Sequence, residues 1–137
     1  EGLADGTIDM IATDHAPHSA EEKAKGLRGS AMGVVGIETA FPLLYTYLVE
    51  TGKMPLEMLI DRMADAPRRR FRIDGGMQVG DKAAVTVFDL HAREKIDPNT
   101  FLSKGRATPF EGWKVHAACR LTICGDKIAY NALSRKE

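Results

Sequence analysis

The stretch Thr-Ile-Asp-Met-Ile-Ala-Thr-Asp-His-Ala-Pro-His, residues 7–18, decides the predicted fold. Apolar and β-branched residues dominate residues 7–13, and this composition predicts a buried strand of a parallel sheet. A carboxylate, Asp14, follows where the strand would pass into a loop, with His15 and His18 just beyond it. Enzymes built on α/β barrels carry their chemistry at this end of their strands. The stretch therefore predicts both a sheet and a candidate active site.

Pro17 decides how the polar residues of this stretch are arranged. Asp14 and His18 are four residues apart and would share one face of a helix, as the two histidines do in His-Glu-x-x-His zinc sites. Pro17 disfavours a helical conformation at Ala16, so we place Asp14 at a strand end and the histidines on a loop. There Asp14 could take a proton from water and later pass it to a leaving nitrogen. Water bound to a metal would lose that proton near neutral pH. A capping aspartate with two surface histidines explains the spacing equally well.

Outward from this stretch, the sequence divides into an α/β half and a β-rich half. Residues 19–30 are polar and predict a long loop, of a kind that is often functional. Periodic apolar residues predict helices over 38–50 and from Pro55 to just before Pro67, with a further helical turn at 68–71. Alternating apolar residues and turn signals predict the later elements, which are strands over 84–89, 115–124 and 127–130, a turn at 80–81, a hairpin turn at 125–126 and a short helical turn at 97–102. The predicted domains are residues 1–73 and 74–137.

The composition is typical of a globular protein without a strongly charged surface. The chain has 137 residues, of which 44% are hydrophobic and 28% charged, and its 19 basic and 19 acidic residues balance. This balance argues against a surface for nucleic acid or anionic membranes, and the run Arg68-Arg69-Arg70 is expected to be solvated. Cys119 and Cys124 would point to opposite faces of a strand, so no disulfide is expected between them. Without an expected disulfide, a reduced, cytoplasmic location is the default expectation. No apolar stretch reaches the length of a membrane span.

Four stretches of the sequence resemble bacterial dihydroorotases, which belong to the cyclic amidohydrolase superfamily. They are residues 5–18, 33–44, 80–89 and 108–113, and they follow the family's order across essentially the whole chain. Hydantoinases and allantoinases usually differ in the residues after the Asp14-His15 pair. The resemblance implies an α/β fold in which residues 1–73 are the last strand, active-site loop and helices of a (β/α)8 amidohydrolase barrel. Residues 74–137 would be the C-terminal strands of its small β-sandwich domain.

The resemblance also implies an activity and its site residues. Dihydroorotase, a zinc-dependent hydrolase of pyrimidine synthesis, reversibly cyclises N-carbamoyl-L-aspartate to dihydroorotate with loss of water. Asp14 would be both a metal ligand and the general acid/base, and His18 would bind the substrate carboxylate. The main chain at Met32 and Gly33 would contact the dihydropyrimidine ring, although the sequence reads Ala31-Met32-Gly33 where Pro-Phe-Gly is common. The implied partners are the small-molecule substrate, further copies of the chain and aspartate transcarbamoylase.

Several metal ligands of the family have no counterpart in this sequence. The histidines are His15, His18, His91 and His116, and no His-x-His pair occurs. Catalytic zinc has three or more protein ligands. We therefore expect the chain alone to bind zinc weakly or not at all and to be inactive, while the parent protein is a dihydroorotase. His91 and His116 are expected to be surface or structural residues.

Two further expectations follow from the partial match to a barrel. A barrel helix normally packs against neighbouring units. The helix over 38–50 is therefore expected to expose Phe41, Leu44 and Leu48 and to favour self-association.

Two alternative functions remain open, namely a hydantoinase-like cyclic amidohydrolase and a non-catalytic dihydroorotase-like subunit that scaffolds aspartate transcarbamoylase. Retention of Asp14 and His18 argues against the scaffold.

Overall fold

The computed structural model describes residues 1–75 and 77–133, in which short helices precede a three-stranded sheet. The helices are α1 (Gly2–Asp5), α2 (Ala20–Lys23), α3 (Gly26–Gly29), α4 (Ala40–Leu44), α5 (Leu56–Ile60) and α6 (Ala66–Phe71). π-helical turns at Tyr45–Val49 and Asp61–Asp65 extend α4 and join α5 to α6, and a 3-10 turn lies at Pro98–Thr100. The strands are β1 (Ala84–Lys95), β2 (Lys114–Cys124) and β3 (Lys127–Asn131). No helix in the described ranges is long and apolar enough to cross a membrane.

The buried strand predicted over residues 7–13 is wrong. These residues pair with no neighbouring strand, and the Ile8 side chain is 50% exposed. A parallel bridge forms later, between His15 and Val34, where the Ala16 N–H donates to the Val34 carbonyl at 3.0 Å. A parallel strand is held by hydrogen bonds to neighbouring strands. Since the described residues place no strand beside residues 7–13, this segment has no ladder to join.

The predicted helices lie where expected along the chain, but the predicted C-terminal end of the second helix is wrong. The helix predicted over 38–50 is α4 with its π-helical extension. The second helix does not stop before Pro67, because α5, the following π turn and α6 run on to Phe71, and the further helical turn predicted at 68–71 is part of α6. Pro67 occupies the first turn of α6, where a missing N–H costs little. Residues 19–30 are not one irregular loop, since they contain α2 and α3.

The β-rich half forms the predicted strands as one antiparallel sheet in the order β1-β2-β3. β1 continues to Lys95, past the predicted end at Asp89, while β2 and β3 match their predicted bounds within one residue. Gly125, at φ +64°, lies in the predicted hairpin turn between β2 and β3. Cys119 and Cys124 are free in this structure. The predicted short helical turn is confirmed at Pro98–Thr100.

The hydrophobic core joins the two predicted halves. Its buried side chains come from both of them and are Val35, Leu43, Ile96, Phe101 and Val115. The Phe41 ring stacks on Phe88 of β1 with centroids 4.1 Å apart. Phe41, Leu44 and Leu48 are half-buried, so the expectation that they are exposed is wrong. The division at residue 73 stays a prediction, and residues 134–137 of the predicted second domain lie outside the described residues.

The basic run is solvated only in part. Arg69 and Arg70 are exposed, as expected. Arg68 is half-buried, and its guanidinium donates to the carbonyl of Gly75 at 2.8 Å and to that of Ala84 at 3.4 Å. Arg68 therefore fixes the connection between α6 and β1, and its role is structural.

Candidate functional site

The loop that begins at Asp14 is layered against two other segments of the chain. The Ala16 N–H donates to the Val34 carbonyl at 3.0 Å, and the Val35 N–H donates to the Ala107 carbonyl at 2.8 Å. Residues 14–18, 33–36 and 105–107 thus lie side by side. This arrangement brings the predicted ring-contacting residues, Met32 and Gly33, next to the loop that carries Asp14 and His18.

Glycines make this close layering possible. Gly33 has φ +110°, and a Cβ atom there would lie 2.4 Å from the Cβ of Ala16. A Cβ at Gly105 would lie 2.8 Å from the Cβ of Pro17. Contacts this short do not occur between real side chains, so a side chain at either position would push the loop away. Gly33 is therefore needed for its backbone conformation as well as for the space it leaves.

Asp14 adopts a left-handed backbone conformation at the start of the loop. Its φ is +46°, which is uncommon for a residue other than glycine. The residue is exposed, and within residues 1–75 and 77–133 its carboxylate has no hydrogen bond or ion pair. Uncommon backbone conformations of this kind concentrate at active sites and ligand clamps. The Asp14 carboxylate is thus held at a bend of the chain and is free to act on another group.

His15 anchors the loop through its Nδ1. This nitrogen already accepts two backbone hydrogen bonds, so it is not free to bind a ligand. The backbone N–H groups of Gly36 and Ile37 donate to its Nδ1 at 3.2 Å and 3.3 Å. A ring nitrogen that accepts hydrogen bonds carries no proton, so the neutral imidazole has its proton at Nε2. The sequence assigned His15 no role beyond the loop. The structure shows that it ties the loop to the start of the α4 segment.

His18 lies beside a capped helix. The Ser19 Oγ accepts the Glu22 N–H at 3.2 Å, and the Glu22 carboxylate accepts the Ser19 N–H at 2.8 Å, which together form a capping box at α2. The Glu22 carboxylate accepts hydrogen bonds from the Ser19 N–H and from the Ser19 hydroxyl, the latter at 3.0 Å, and these two bonds, the backbone one first, lower the pKa of Glu22. The His18 Nδ1 lies 3.7 Å from Glu22 Oε2 and forms an ion pair when the imidazole is protonated. The Ser-x-x-Glu signature at 19–22 was readable in the sequence and was missed.

A cleft of about 350 Å³ opens beside these residues. Its lining combines basic and small side chains, namely His18, Ala20, Lys23, Ala24, Arg106 and Ala107. Such a lining favours an anionic group. Lys23, which the sequence did not single out, also donates from Nζ to the carbonyls of Ala31 and Gly33, both at 2.9 Å. The Met32 side chain is 86% exposed, and the Lys23 hydrogen bonds hold the carbonyls on either side of Met32.

The described residues do not form a zinc site on their own. In residues 1–75 and 77–133, no three His, Cys, Asp or Glu side chains lie close enough together to hold a metal ion. Zinc in enzymes takes three or more protein ligands. Asp14, the one candidate ligand, therefore lacks the donor set that the resemblance implies.

The remaining histidines lie away from the candidate site, as expected. His91 is exposed on β1. The His116 Nδ1 lies 2.7 Å from the Glu50 carboxylate, and the His116 N–H donates to Thr46 Oγ1 at 2.8 Å. His116 thus links β2 to the helical segment after α4, and its role is structural.

Comparison with known proteins gives strong matches to cyclic amidohydrolases. No family model matches the sequence. The dihydroorotase of Anoxybacillus flavithermus (strain DSM 21510 / WK1) is 54% identical over 131 residues, which cover 95% of this chain. The dihydroorotase of Bacillus cereus (strain B4264) is also 54% identical over 131 residues. Among solved structures, L-hydantoinase (dihydropyrimidinase) from Arthrobacter aurescens has a TM-score of 0.85 at 32% identity, covering 96% of this chain and 31% of that chain.

The fold, the site and these similarities define the class of protein, and the chain belongs to the amidohydrolases. Within that class it corresponds to a C-terminal part of a dihydroorotase-like protein. The chain spans 31% of the length of the curated relatives it matches. The predicted family and the predicted fold class, part of an amidohydrolase barrel with strands of its small β domain, are both confirmed.

Proposed function

We propose that the protein containing this chain is a dihydroorotase, with Asp14 as its general acid/base. The observation that carries the proposal is the placement of Asp14. Its carboxylate is exposed and unpaired among the described residues, at a left-handed bend of the chain. His18 follows on the same loop, and the glycine-dependent layering places the main chain of Met32 and Gly33 alongside. The 54% identity to dihydroorotases supports the choice of substrate.

The proposed chemistry is a proton transfer by Asp14 during opening and closing of an amide ring. In hydrolysis, water adds to the ring amide carbon, its proton passes to Asp14, and the carbon–nitrogen bond breaks as Asp14 delivers the proton to the leaving nitrogen. In cyclisation, the ureido nitrogen adds to the carbon of the protonated carboxyl group and its proton passes to Asp14, which returns that proton to the leaving hydroxyl so that it departs as water. His18, in the basic cleft, would bind the carboxylate of the substrate.

The remaining parts of the proposal concern the complete protein. Zinc is the proposed cofactor, with Asp14 as one of its ligands, and no reaction step is assigned to it because the described residues lack the other donors. The proposed domains are residues 1–73 in the barrel and 74–137 in the β-sandwich domain. A cytoplasmic location and assembly of several copies, with or without aspartate transcarbamoylase, belong to the same proposal.

A hydantoinase-like activity is the second candidate. It is favoured by the TM-score of 0.85 with L-hydantoinase from Arthrobacter aurescens, at 32% identity. Asp14 would have the same role in either reaction, because both substrates are cyclic amides. The substrates differ in charge, since dihydroorotate carries a carboxylate and unsubstituted hydantoin does not. The basic lining of the cleft therefore favours dihydroorotate.

A chimeric enzyme tests the proposal. This chain replaces the matching segment of the Anoxybacillus flavithermus dihydroorotase, and hydrolysis of dihydroorotate and of hydantoin is measured. We expect dihydroorotate to be hydrolysed, and Asp14→Asn to lower kcat by about 10²-fold or more because an amide cannot accept the proton. Asp126→Asn, at the exposed hairpin turn, is the matched control and should leave kcat unchanged.

Other outcomes separate the candidates. A chimera that hydrolyses hydantoin and not dihydroorotate would support the second candidate. A folded chimera that is inactive on both substrates, beside an active unaltered relative, would contradict both. If Asp14→Asn retained the activity of Asp126→Asn, Asp14 would have no role in the chemistry.

A further inference from the structure

Lys23 connects the end of α2 to the main chain on both sides of Met32. The side chain is half-buried, and its Nζ donates to the Ala31 carbonyl and to the Gly33 carbonyl, both at 2.9 Å. These acceptors lie eight and ten residues further along the chain. A hydrogen bond from a charged amine is about twice as strong as one between neutral groups. Lys23 therefore fixes the orientation of two peptide groups that are distant from it in the sequence.

The backbone around Lys23 strengthens the same connection. The Ser30 Oγ donates to the Lys23 carbonyl at 2.7 Å, and the Ala31 N–H donates to the Glu22 carbonyl at 3.2 Å. The C-terminal end of α2 thus binds residues 30–33 through its side chain and through its main chain. The segment is held in one place, and the Lys23 amine decides the orientation of its peptide groups.

Fixing a carbonyl also fixes the N–H of the same peptide group. In a planar trans peptide the two point in opposite directions. Because the Ala31 carbonyl points to Lys23, the N–H of Met32 points away from it. Within the described residues, the Met32 N–H makes no hydrogen bond. It is therefore a donor with a fixed direction and no partner, in the stretch where the ring of the substrate is proposed to bind.

We propose that Lys23 is a positioning residue, which orients the main chain at Met32 and Gly33 for a cyclic amide or imide ring. The carbonyl groups of such a ring accept hydrogen bonds from main-chain N–H groups. Lys23 acts through this main chain and does not touch the reacting atoms. The proposal rests on the proposed function, because it assigns the ring to this segment. A main-chain contact of this kind is made with the bound substrate and with the transition state alike, so it lowers KM more than it raises kcat.

Kinetics of the chimeric enzyme test this role. Lys23→Met removes the donors and keeps an unbranched side chain. We expect it to raise KM for dihydroorotate roughly ten- to hundredfold with kcat changed less than about threefold, since a displaced binding group can cost about 10²-fold. Lys23→Arg keeps charged donors and should recover part of the loss. Lys25→Met is the matched control, because Lys25 is exposed two residues away and should leave KM unchanged.

Hydrogen exchange on the 137-residue chain supplies a second measurement that needs no activity. The amides of residues 30–34 should exchange faster in Lys23→Met than in Lys25→Met. Equal exchange in the two variants would overturn the proposal, as would equal KM values in an active chimera. A drop in kcat and melting temperature at unchanged KM would also overturn it, because that pattern indicates a purely structural residue. A wild-type chimera without dihydroorotase activity would contradict the proposed function, while the exchange measurement still decides whether Lys23 orders this segment.

Discussion

At the scale of single residues, the candidate site depends on two backbone conformations that most residues avoid. Asp14 has φ +46° and Gly33 has φ +110°. The first turns a carboxylate out of the chain at the start of the loop. The second lets the main chain at Met32 and Gly33 approach that loop, because Gly33 has no Cβ to meet Ala16. Both conformations cost local backbone stability, and they accompany the close approach of the main chain at Gly33 to the loop that begins at Asp14.

Alanine substitutions at Gly33 and Gly6 separate two effects on stability, namely the strain of a positive φ and the steric clash of an added Cβ. Gly33→Ala places a Cβ 2.4 Å from the Ala16 Cβ in a strained conformation, whereas Gly6→Ala at φ +86° meets no atom within 4 Å. We expect Gly6→Ala to lower the free energy of unfolding by about 1 kcal/mol and Gly33→Ala to lower it by about 2–4 kcal/mol. Urea denaturation of the 137-residue chain measures both values. Equal losses for the two variants would show that the close contact with Ala16 does not exist in solution.

At the scale of elements, α2 is the helix on which the site depends. It has four residues, too few to be stable as an isolated helix. Its capping box and the hydrogen bonds from residues 30 and 31 hold it in place. In return, α2 positions Glu22 beside His18 and carries Lys23 to the main chain at Met32. The helix thus connects the loop at residues 14–18 to the segment at residues 30–33.

The titration of Glu22 reports on this capping box. Hydrogen bonds from Ser19 lower the Glu22 pKa below its ordinary value of 4.5. The resulting stability is therefore complete well above pH 4.5 and is lost as the pH falls through the lowered folded-state pKa. NMR titration of the Glu22 carboxyl carbon should give a midpoint below 4.5, and Ser19→Ala should raise it. Ser103→Ala, outside the capping box, should leave it unchanged. A wild-type midpoint at or above 4.5 would contradict the capping box.

At the scale of the whole molecule, α4 and the sheet share one hydrophobic core. The Phe41–Phe88 stack and the hydrogen bond from the His116 N–H to Thr46 bridge the two halves of the chain. This core leaves the segment over residues 7–13 largely exposed at the edge of the molecule. Asp14 follows that segment, and in the described residues no three His, Cys, Asp or Glu side chains lie close enough together to hold a metal ion. The chain thus orders the loop at residues 14–18, on which Asp14 is the proposed metal ligand.

Metal analysis of the 137-residue chain tests this conclusion. After zinc loading and gel filtration, we expect much less than one zinc per chain, because one carboxylate does not form a catalytic zinc site. Asp14→Ala should retain as little zinc as the wild type. One tightly bound zinc per wild-type chain, lost in Asp14→Ala, would contradict the expectation.

The fold could be predicted from the sequence where an element depends on residues within a few positions of one another, and not where it depends on distant parts of the chain. The hairpin at Gly125-Asp126 and the bounds of β2 were predicted because turn residues and alternating side chains act within a few positions. The helix end at Pro67 was missed because a proline is tolerated in the first turn of a new helical segment. The strand over residues 7–13 was wrong because strand formation depends on a partner, and apolar composition cannot report whether that partner is present.

The sequence by itself determined the family, the candidate acid/base Asp14 and most elements, because those depend on residue identity and short-range patterns. The tertiary structure alone decided the surroundings of Asp14. The His15 Nδ1 accepts backbone N–H groups 21 and 22 residues away, and Lys23 donates to carbonyls eight and ten residues away. Every residue except proline has both main-chain groups, so neither contact has a signature in the sequence. Only the folded chain selects which carbonyl or N–H meets each side chain.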